Sequence, residues 1–261
     1  MIRKLSCFFL ILALVLPPFS VYGQDKVIVP ILLYHCIEEN FTEDISNVAI
    51  TKDTFTIHMQ TLKDAGYTPI SFDEYYQFVE HGKPLPQKPI MITFDDGYLS
   101  NYLVAYPILK DLGFKATIFI VASSVGKSNT ADINYPHFTW GQAKEMVQSG
   151  VIEIGSHTFF HRDMRAYSKD KIQTDLRLSK YLIDDNLNIN CDLLAYPYGY
   201  YTPEIQELAT KAGYKMQCIV GDVGANTLAS PMNQLKRLTI SGYYSAEKLL
   251  EVIDVNTRLE Q

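Results

Sequence analysis

The chain has 261 residues, of which 47% are hydrophobic and 20% charged, and its formal net charge is −6. This composition is that of an ordinary globular protein. The acidic balance and the lack of a block of lysine and arginine argue against a nucleic-acid-binding protein. The length fits one α/β barrel domain and leaves no room for a second large domain.

The start of the chain has the pattern of an export signal. A basic beginning precedes an apolar run over 5–16, and a plausible cleavage point follows Gly23. The apolar run is shorter than the about 20 residues that a membrane-spanning helix needs. We therefore predict a signal peptide at 1–23 and a mature domain at 24–261, without a stable membrane span and exported to the periplasm or the cell exterior. An uncleaved N-terminal membrane anchor is the alternative.

The mature region has three cysteines, Cys36, Cys191 and Cys218. Three cysteines are few and odd in number, which argues against a disulfide framework. They also lack the CxxC or Cys/His spacing of a zinc site. Buried free thiols are the expected state, with a bond between Cys191 and Cys218 as the alternative.

From Val27 onward, strand-like and helix-like segments alternate. Apolar runs predict strands at 29–34, 67–70, 90–94, 115–121, 152–155, 193–196, 214–220 and 236–240. Amphipathic segments that begin at capping residues or end at glycine predict helices at 53–65, 73–80, 100–112, 140–149, 168–185, 202–212 and 245–259. Seven or eight such units in succession predict a parallel sheet that is closed or nearly closed into a barrel.

Two adjacent carboxylates, Asp95 and Asp96, end one of the apolar strands and precede Gly97. A buried carboxylate is costly unless it is paired or bound to a metal, so both should lie where the strand emerges. Neighbouring strand residues point to opposite faces, so the turn must bring the two carboxylates together if they cooperate. An Asp-Gly turn without a function is the alternative.

His35, His157 and Tyr198 also follow predicted strands, and the chemistry of α/β barrels lies at these strand ends. His157 and His161 are four residues apart, a spacing that places two imidazoles on one side of a helical turn. Two histidines with one carboxylate form a common zinc site and also the facial triad of non-haem iron, so the ligands alone do not name the metal. The remaining histidines are interpreted as groups on helix surfaces or loops without a role: His58, His81 and His137.

Three stretches are similar to motifs of one known family. They are Thr93–Gly97, His157–His161 and Tyr196–Gly199, and Trp140 stands before the second of them. In order and spacing they resemble the polysaccharide deacetylases, also called the NodB-homology or carbohydrate esterase family 4 enzymes. The resemblance implies a single-domain, distorted (β/α) barrel with one divalent metal ion, usually zinc, that removes acetyl groups from N-acetylated sugars.

The resemblance also implies roles for individual residues. Asp96, His157 and His161 correspond to the metal ligands, and Asp95 corresponds to the general base. Tyr198 corresponds to the residue whose backbone N–H contributes to the oxyanion site.

Two departures from the family pattern lead to further expectations. Ala195 stands where many members have an arginine that orients the catalytic aspartate, and we hypothesise that Arg237, at the start of the last strand, supplies that guanidinium. The Leu-x-Leu-His motif after the last strand is missing, whereas Leu32–His35 is similar to that strand moved to the front. This arrangement resembles the circularly permuted branch that deacetylates poly-β-1,6-N-acetylglucosamine, and it makes His35 the candidate general acid.

We therefore expect a monomeric, metal-dependent hydrolase that removes N-acetyl groups from a polysaccharide containing N-acetylglucosamine, with poly-β-1,6-N-acetylglucosamine favoured, and releases acetate. Peptidoglycan, chitin oligomers and O-acetylated xylan are alternative substrates. A glycoside hydrolase would need two carboxylates on either side of a sugar bond, which adjacent aspartates fit poorly. A catalytically silent carbohydrate-binding barrel is the remaining alternative.

Overall fold

The structure is a computed structural model that describes residues 27–128, 135–220 and 225–259. The predicted signal peptide at 1–23 lies outside the described residues. Within the described ranges, none of the helices combines the length and the hydropathy required to cross a bilayer.

The strands are β1 (Ile28–Val29), β2 (Ile31–Tyr34), β3 (Cys36–Glu38), β4 (Ala49–Thr51), β5 (Thr68–Pro69), β6 (Pro89–Asp96), β7 (Ala116–Ile120), β8 (Ile152–Ser156), β9 (Leu193–Ala195), β10 (Met216–Val220), β11 (Asn226–Thr227) and β12 (Leu235–Thr239). The helices are α1 (Lys52–Asp64), α2 (Phe72–His81), α3 (Tyr106–Leu112), α4 (Trp140–Gln148), α5 (Lys169–Leu187), α6 (Pro203–Ala212) and α7 (Ala246–Arg258).

Seven parallel strands close into a barrel in the order β2, β12, β10, β9, β8, β7 and β6, and β6 pairs back with β2. The short β5 pairs with the start of β6 outside this closed ring. The closing strand is therefore the N-terminal β2, which lies between the last strand β12 and β6. The expectation of a single-domain, distorted (β/α) barrel with seven or eight strands is confirmed.

The core divides according to the alternation of side chains along the strands. One cluster joins strand residues to the surrounding helices and includes Leu32, Ile92, Ile118, Ile154 and Leu194. A second cluster joins the alternate residues inside the barrel to α2 and includes Ile31, Met91, Phe119, Leu193, Phe72 and Tyr75. Because α2 contributes apolar side chains to the barrel interior, a polar site is left to the opposite, C-terminal end of the strands.

Two predicted elements differ from the observed ones. The strand predicted over 29–34 is divided into β1 and β2 at Pro30, because proline has no N–H to give to a sheet ladder. The helix predicted over 100–112 begins with a π-helical turn, Asn101–Ala105, before α3.

The buried thiols agree with the expectation for free cysteines. Cys36, Cys191 and Cys218 are all buried and free, so the alternative of a bond between Cys191 and Cys218 is not realised.

His58 does not lie on a helix surface, although the sequence suggested that it would. Its ring is buried between the Tyr34 hydroxyl, 3.2 Å from Nδ1, and the Tyr244 carbonyl, 2.8 Å from Nε2.

Candidate active site

Asp95 forms a buried ion pair with Arg237 at the C-terminal end of the barrel. Strand β6 runs to Asp96 and brings Asp95 inside the barrel, with only 2% of the residue exposed. Arg237 is the third residue of β12 and is fully buried. Its Nη1 and Nη2 donate to Oδ1 and Oδ2 of Asp95 over 2.6 and 2.8 Å, and its guanidinium lies 5.2 Å from the centre of the Phe119 ring. The pair is therefore bidentate, the strongest geometry for an arginine and a carboxylate.

This pairing decides the charge of Asp95. Burial raises the pKa of the carboxyl group, but the charge and the hydrogen bonds of Arg237 outweigh that effect and hold the pKa well below its usual range. Asp95 is thus an ionised carboxylate whose two oxygens have a fixed orientation. The hypothesis that Arg237 stands in for the arginine missing at Ala195 agrees with this geometry, and its catalytic role stays a prediction.

Asp96, His157 and His161 converge beside this ion pair. The Asp96 Oδ1 atom lies 3.5 Å from His161 Nε2 and 3.7 Å from His157 Nε2. One ligand atom from each of the three residues lies within 4.8 Å of the other two. In a regular strand the Asp96 side chain would point to the face opposite that of Asp95. The Asp96 backbone instead adopts a left-handed conformation with φ of 73°, which turns its side chain toward the same site.

His157 is held in the form that a metal ligand requires. Its Nδ1 lies 2.8 Å from the carbonyl oxygen of Ala195, which can only accept, so Nδ1 carries the proton and Nε2 keeps its lone pair. Burial lowers the pKa of His157 to about 4, although Asp95 opposes this effect. The imidazole is therefore neutral at physiological pH, and its Nε2 lies 3.6 Å from Asp95 Oδ2 and 3.7 Å from Asp96 Oδ1.

The donor set fits a zinc ion. Two imidazoles and one carboxylate are a catalytic zinc set, and ligand atoms about 2.1 Å from a tetrahedral centre lie roughly 3.4 Å apart. The separations of 3.5 and 3.7 Å at Asp96 are close to that value. The carbonyl bond at Nδ1 of His157 is the outer-shell contact that commonly orients a ligating histidine.

The sequence prediction of a helical turn from His157 to His161 is wrong. Residues 157–161, here called the histidine loop, contain no helix. Thr158 and His161 have φ of 69° and 53°, and these two left-handed residues bend the chain so that both imidazoles face Asp96. The Thr158 Oγ1 atom accepts a hydrogen bond from the His161 N–H over 3.1 Å and closes the loop.

His35 and Tyr198 lie at the same end of the barrel. His35 directly follows β2, which pairs in parallel with β6 up to Tyr34 and Phe94, so its backbone lies beside that of Asp95. The Nδ1 atom of His35 is buried without a hydrogen-bond partner among the described residues. Tyr198 lies in the turn after β9 with φ of 60°, and its ring is 4.8 Å from that of His161.

Sequence reasoning missed two groups beside Asp96. The Tyr98 side chain is buried close to Asp96, and burial together with the Asp96 charge raises the pKa of this phenol. His137, interpreted as a surface or loop group, is 93% buried, and its ring lies 5.2 Å from that of Tyr98 at an interplanar angle of 36°. The only sequence signal was that Tyr98 directly follows the Asp-Asp-Gly turn, and nothing near His137 indicated its contact. His81 alone of the three histidines set aside is exposed.

Aromatic side chains that could stack on a sugar ring differ in their exposure. Tyr34 and Phe138 are buried in the core, whereas Tyr200 and Tyr243 are 44% and 59% exposed. The Arg165 guanidinium lies 3.7 Å above the Tyr200 ring and therefore occupies one face of it.

Comparisons with known proteins identify the family of this chain. A family model described as polysaccharide deacetylase matches residues 82–217, more than half of the chain. The YxkH protein of Bacillus subtilis (strain 168) carries the name of a polysaccharide deacetylase. It is 35% identical to this chain over 212 residues, which are 81% of this chain and 71% of that protein. The poly-β-1,6-N-acetyl-D-glucosamine N-deacetylase of Staphylococcus aureus (strain MRSA252) is 27% identical over 67% of this chain and 62% of its own length.

A solved structure is similar over nearly the whole described barrel. The deacetylase PplD of Streptococcus pyogenes, in complex with acetate, has a TM-score of 0.76 and 32% identity, and the match covers 87% of this chain and 98% of that one. The chain belongs to the polysaccharide deacetylase family and is a hydrolase of that type.

Proposed function

We propose that this protein is a zinc-dependent N-deacetylase that removes acetyl groups from an exported polysaccharide of N-acetylglucosamine, with poly-β-1,6-N-acetylglucosamine as the favoured substrate. The observation that carries the proposal is the cluster of Asp96, His157 and His161 beside the buried Asp95–Arg237 pair. A cation ligand set next to an ionised, oriented carboxylate suits hydrolysis of an amide better than cleavage of a glycosidic bond, which needs two carboxylates on either side of the bond.

Asp96, His157 and His161 would hold the zinc ion. When bound, zinc lowers the pKa of a water molecule toward about 7 and polarises the acetamide carbonyl. The chain's own residues then divide the proton transfers and the charge stabilisation between them. Asp95 takes the proton from the attacking water, while Arg237 keeps both of its oxygens in one orientation. The pairing with Arg237 keeps Asp95 ionised and fixed in orientation, and the low pKa makes Asp95 a weaker base than a free carboxylate.

The remaining roles belong to His35 and Tyr198. An amine leaves poorly unless it is protonated, so His35 donates a proton to the sugar nitrogen. The Tyr198 backbone N–H contributes to binding the oxyanion, and losing one such donor commonly costs about 10²–10³ in rate. The products are acetate and a free amino sugar.

The favoured substrate is supported by relatives and by the N-terminal strand. The Staphylococcus aureus relative is named as a poly-β-1,6-N-acetyl-D-glucosamine N-deacetylase. Strand β2, which His35 directly follows, closes the barrel between β12 and β6, as a permuted strand would. An exported polymer agrees with the predicted signal peptide at 1–23, with action of the mature domain at 24–261 outside the cytoplasm as a monomer.

The test is acetate release from a panel of glycans by metal-stripped and zinc-restored protein in parallel. We expect zinc to restore release, and release to be fastest from poly-β-1,6-N-acetylglucosamine oligomers. Peptidoglycan, chitin oligomers and acetylated xylan serve as comparison substrates. Faster release from any of these would contradict the favoured polymer, whereas full activity in the stripped protein would contradict the metal. No acetate from any glycan would favour a silent carbohydrate-binding barrel.

A further inference from the structure

The histidine loop rests on one face of helix α5. Asp175 is a buried residue of this helix, with 4% exposed, and its two carboxylate oxygens point at the loop backbone. Oδ1 accepts a hydrogen bond from the Phe159 N–H over 2.7 Å, and Oδ2 accepts one from the Phe160 N–H over 3.2 Å. These two residues lie within the segment that joins His157 to His161.

A second contact comes from the next turn of the same helix face. The Ser179 hydroxyl lies 2.7 Å from the Ser156 hydroxyl, whose oxygen accepts a hydrogen bond from the Thr158 N–H over 3.1 Å. The Thr158 hydroxyl in turn binds the His161 N–H. Side-chain oxygens therefore bind every backbone N–H from residue 158 to residue 161.

The opposite edge of the loop is also fixed. The carbonyl oxygens of Thr158 and Phe159 accept hydrogen bonds from Ala122 and Ser123, each over 3.1 Å. Left-handed conformations at Thr158 and His161 are unfavourable for these residues and persist only where the surroundings determine them. Asp175 supplies two of the contacts that do so, although it touches neither histidine.

We infer that Asp175 is a positioning residue that sets the separation of His157 and His161 and thereby the affinity of the site for zinc. This inference rests on the metal site of the proposed function. The carboxylate suits the task because it has only acceptors for two parallel N–H donors. An asparagine of the same size can accept from one N–H, but its NH₂ group would face the other donor.

The test is the Zn²⁺ affinity of the full mature chain, measured on metal-stripped protein by competition with a chromophoric chelator. We expect Asp175→Asn to weaken Zn²⁺ binding by about 10- to 100-fold, the usual range for outer-shell partners of metal ligands. Saturating Zn²⁺ should return much of the acetate release, because the reacting groups themselves are unchanged. Ser179→Ala provides a second, milder variant should Asp175→Asn fail to fold, and it should weaken binding about tenfold.

Asp184→Asn is the matched control. Asp184 lies on the same helix, and its Oδ1 accepts the Cys191 N–H over 2.6 Å, far along the chain from the histidine loop. We expect this variant to lower the thermal stability of the metal-stripped protein while its Zn²⁺ affinity stays within about twofold of the unchanged protein.

The outcomes separate this inference from the proposed function. Weaker Zn²⁺ binding in Asp175→Asn but not in Asp184→Asn supports the positioning role. If the unchanged protein binds Zn²⁺ and Asp175→Asn binds equally well, or if both variants weaken binding alike, the positioning role is overturned and the metal site stands. Failure of the unchanged protein to bind Zn²⁺ would overturn both.

Discussion

The buried pair of Asp95 and Arg237 offers the sharpest test of the site. Arg237→Met keeps most of the side-chain volume and removes the guanidinium. The Asp95 carboxylate would then stay inside the barrel without its two donors, which lie at 2.6 and 2.8 Å in the unchanged protein. Both side chains are at most 3% exposed, so water cannot replace the lost partner.

The magnitude follows from this burial. Removing one partner of a buried ion pair costs about 3–5 kcal/mol in the free energy of unfolding, because a charge is left uncompensated. For a domain of this size each kcal/mol shifts the unfolding midpoint by about 2–4 °C, so Tm should fall by about 6–20 °C. The value of kcat should also fall, by up to the about 10²–10⁴ that a positioned general base contributes.

The pH dependence has a definite sign. In the unchanged protein the pKa of Asp95 is depressed, so its stabilising contribution is complete above the unfolded-state pKa of about 3.9 and is lost only as the pH falls further. In Arg237→Met, burial without a partner raises the pKa of Asp95 above the unfolded value. The penalty is then largest at neutral pH and is relieved as the pH falls, because the carboxyl group takes up a proton.

The assay is thermal unfolding of metal-stripped protein between pH 5 and pH 8, with acetate release measured on zinc-loaded protein. Arg165→Met is the matched control, because Arg165 makes a similar bidentate pair with Asp163 at the surface. Exposed pairs contribute little, so Tm should change only slightly in this variant. The reasoning fails if Arg237→Met lowers Tm no more than Arg165→Met does at neutral pH, or if its deficit grows toward acid pH.

The other predictions concern single groups at the same site. Asp96→Asn should lose Zn²⁺, whereas Asp95→Asn should keep Zn²⁺ and lose about 10²–10⁴ in kcat, as metal content and acetate release would reveal; equal metal loss would contradict these roles. Tyr98→Phe removes a buried hydroxyl close to Asp96, so Zn²⁺ affinity should fall about tenfold in chelator competition, and an unchanged affinity would show that this hydroxyl has no part in the site. His35→Gln should slow deacetylation of the sugar by about 10²–10⁴ but spare hydrolysis of 4-nitrophenyl acetate, whose leaving group needs no proton; equal losses on both substrates would refute an acid role.

Much of the fold could be predicted because it depends on local pattern. The apolar runs and the capping residues placed most helices and strands to within a few residues, since burial and hydrogen bonding of each segment follow from its own sequence. The differences were confined to single elements. Pro30 divided a strand because proline has no N–H for the sheet ladder, and a π-helical turn replaced the first turn of a helix.

The site was predictable as a set of residues but not as a geometry. The motifs around Asp96, His157 and His161 indicated a shared cation, yet the spacing suggested a helical turn where the chain forms a left-handed loop. The reason is that φ values above zero at non-glycine residues are imposed by surrounding contacts, which sequence periodicity does not report. Tyr98, His137 and Asp175 were missed because a single aromatic, histidine or aspartate has no distinguishing pattern.

The sequence by itself determined the order of strands and helices, the strand-end position of Asp95 and Asp96, and the identities of the candidate ligands. Only the tertiary structure decided which residues meet. Arg237 reaches Asp95 across 142 positions of chain because β12 and β6 both flank β2 in the closed barrel. Closure of the barrel brings together strand ends that are far apart in the sequence, and no local sequence pattern indicates which of them will meet.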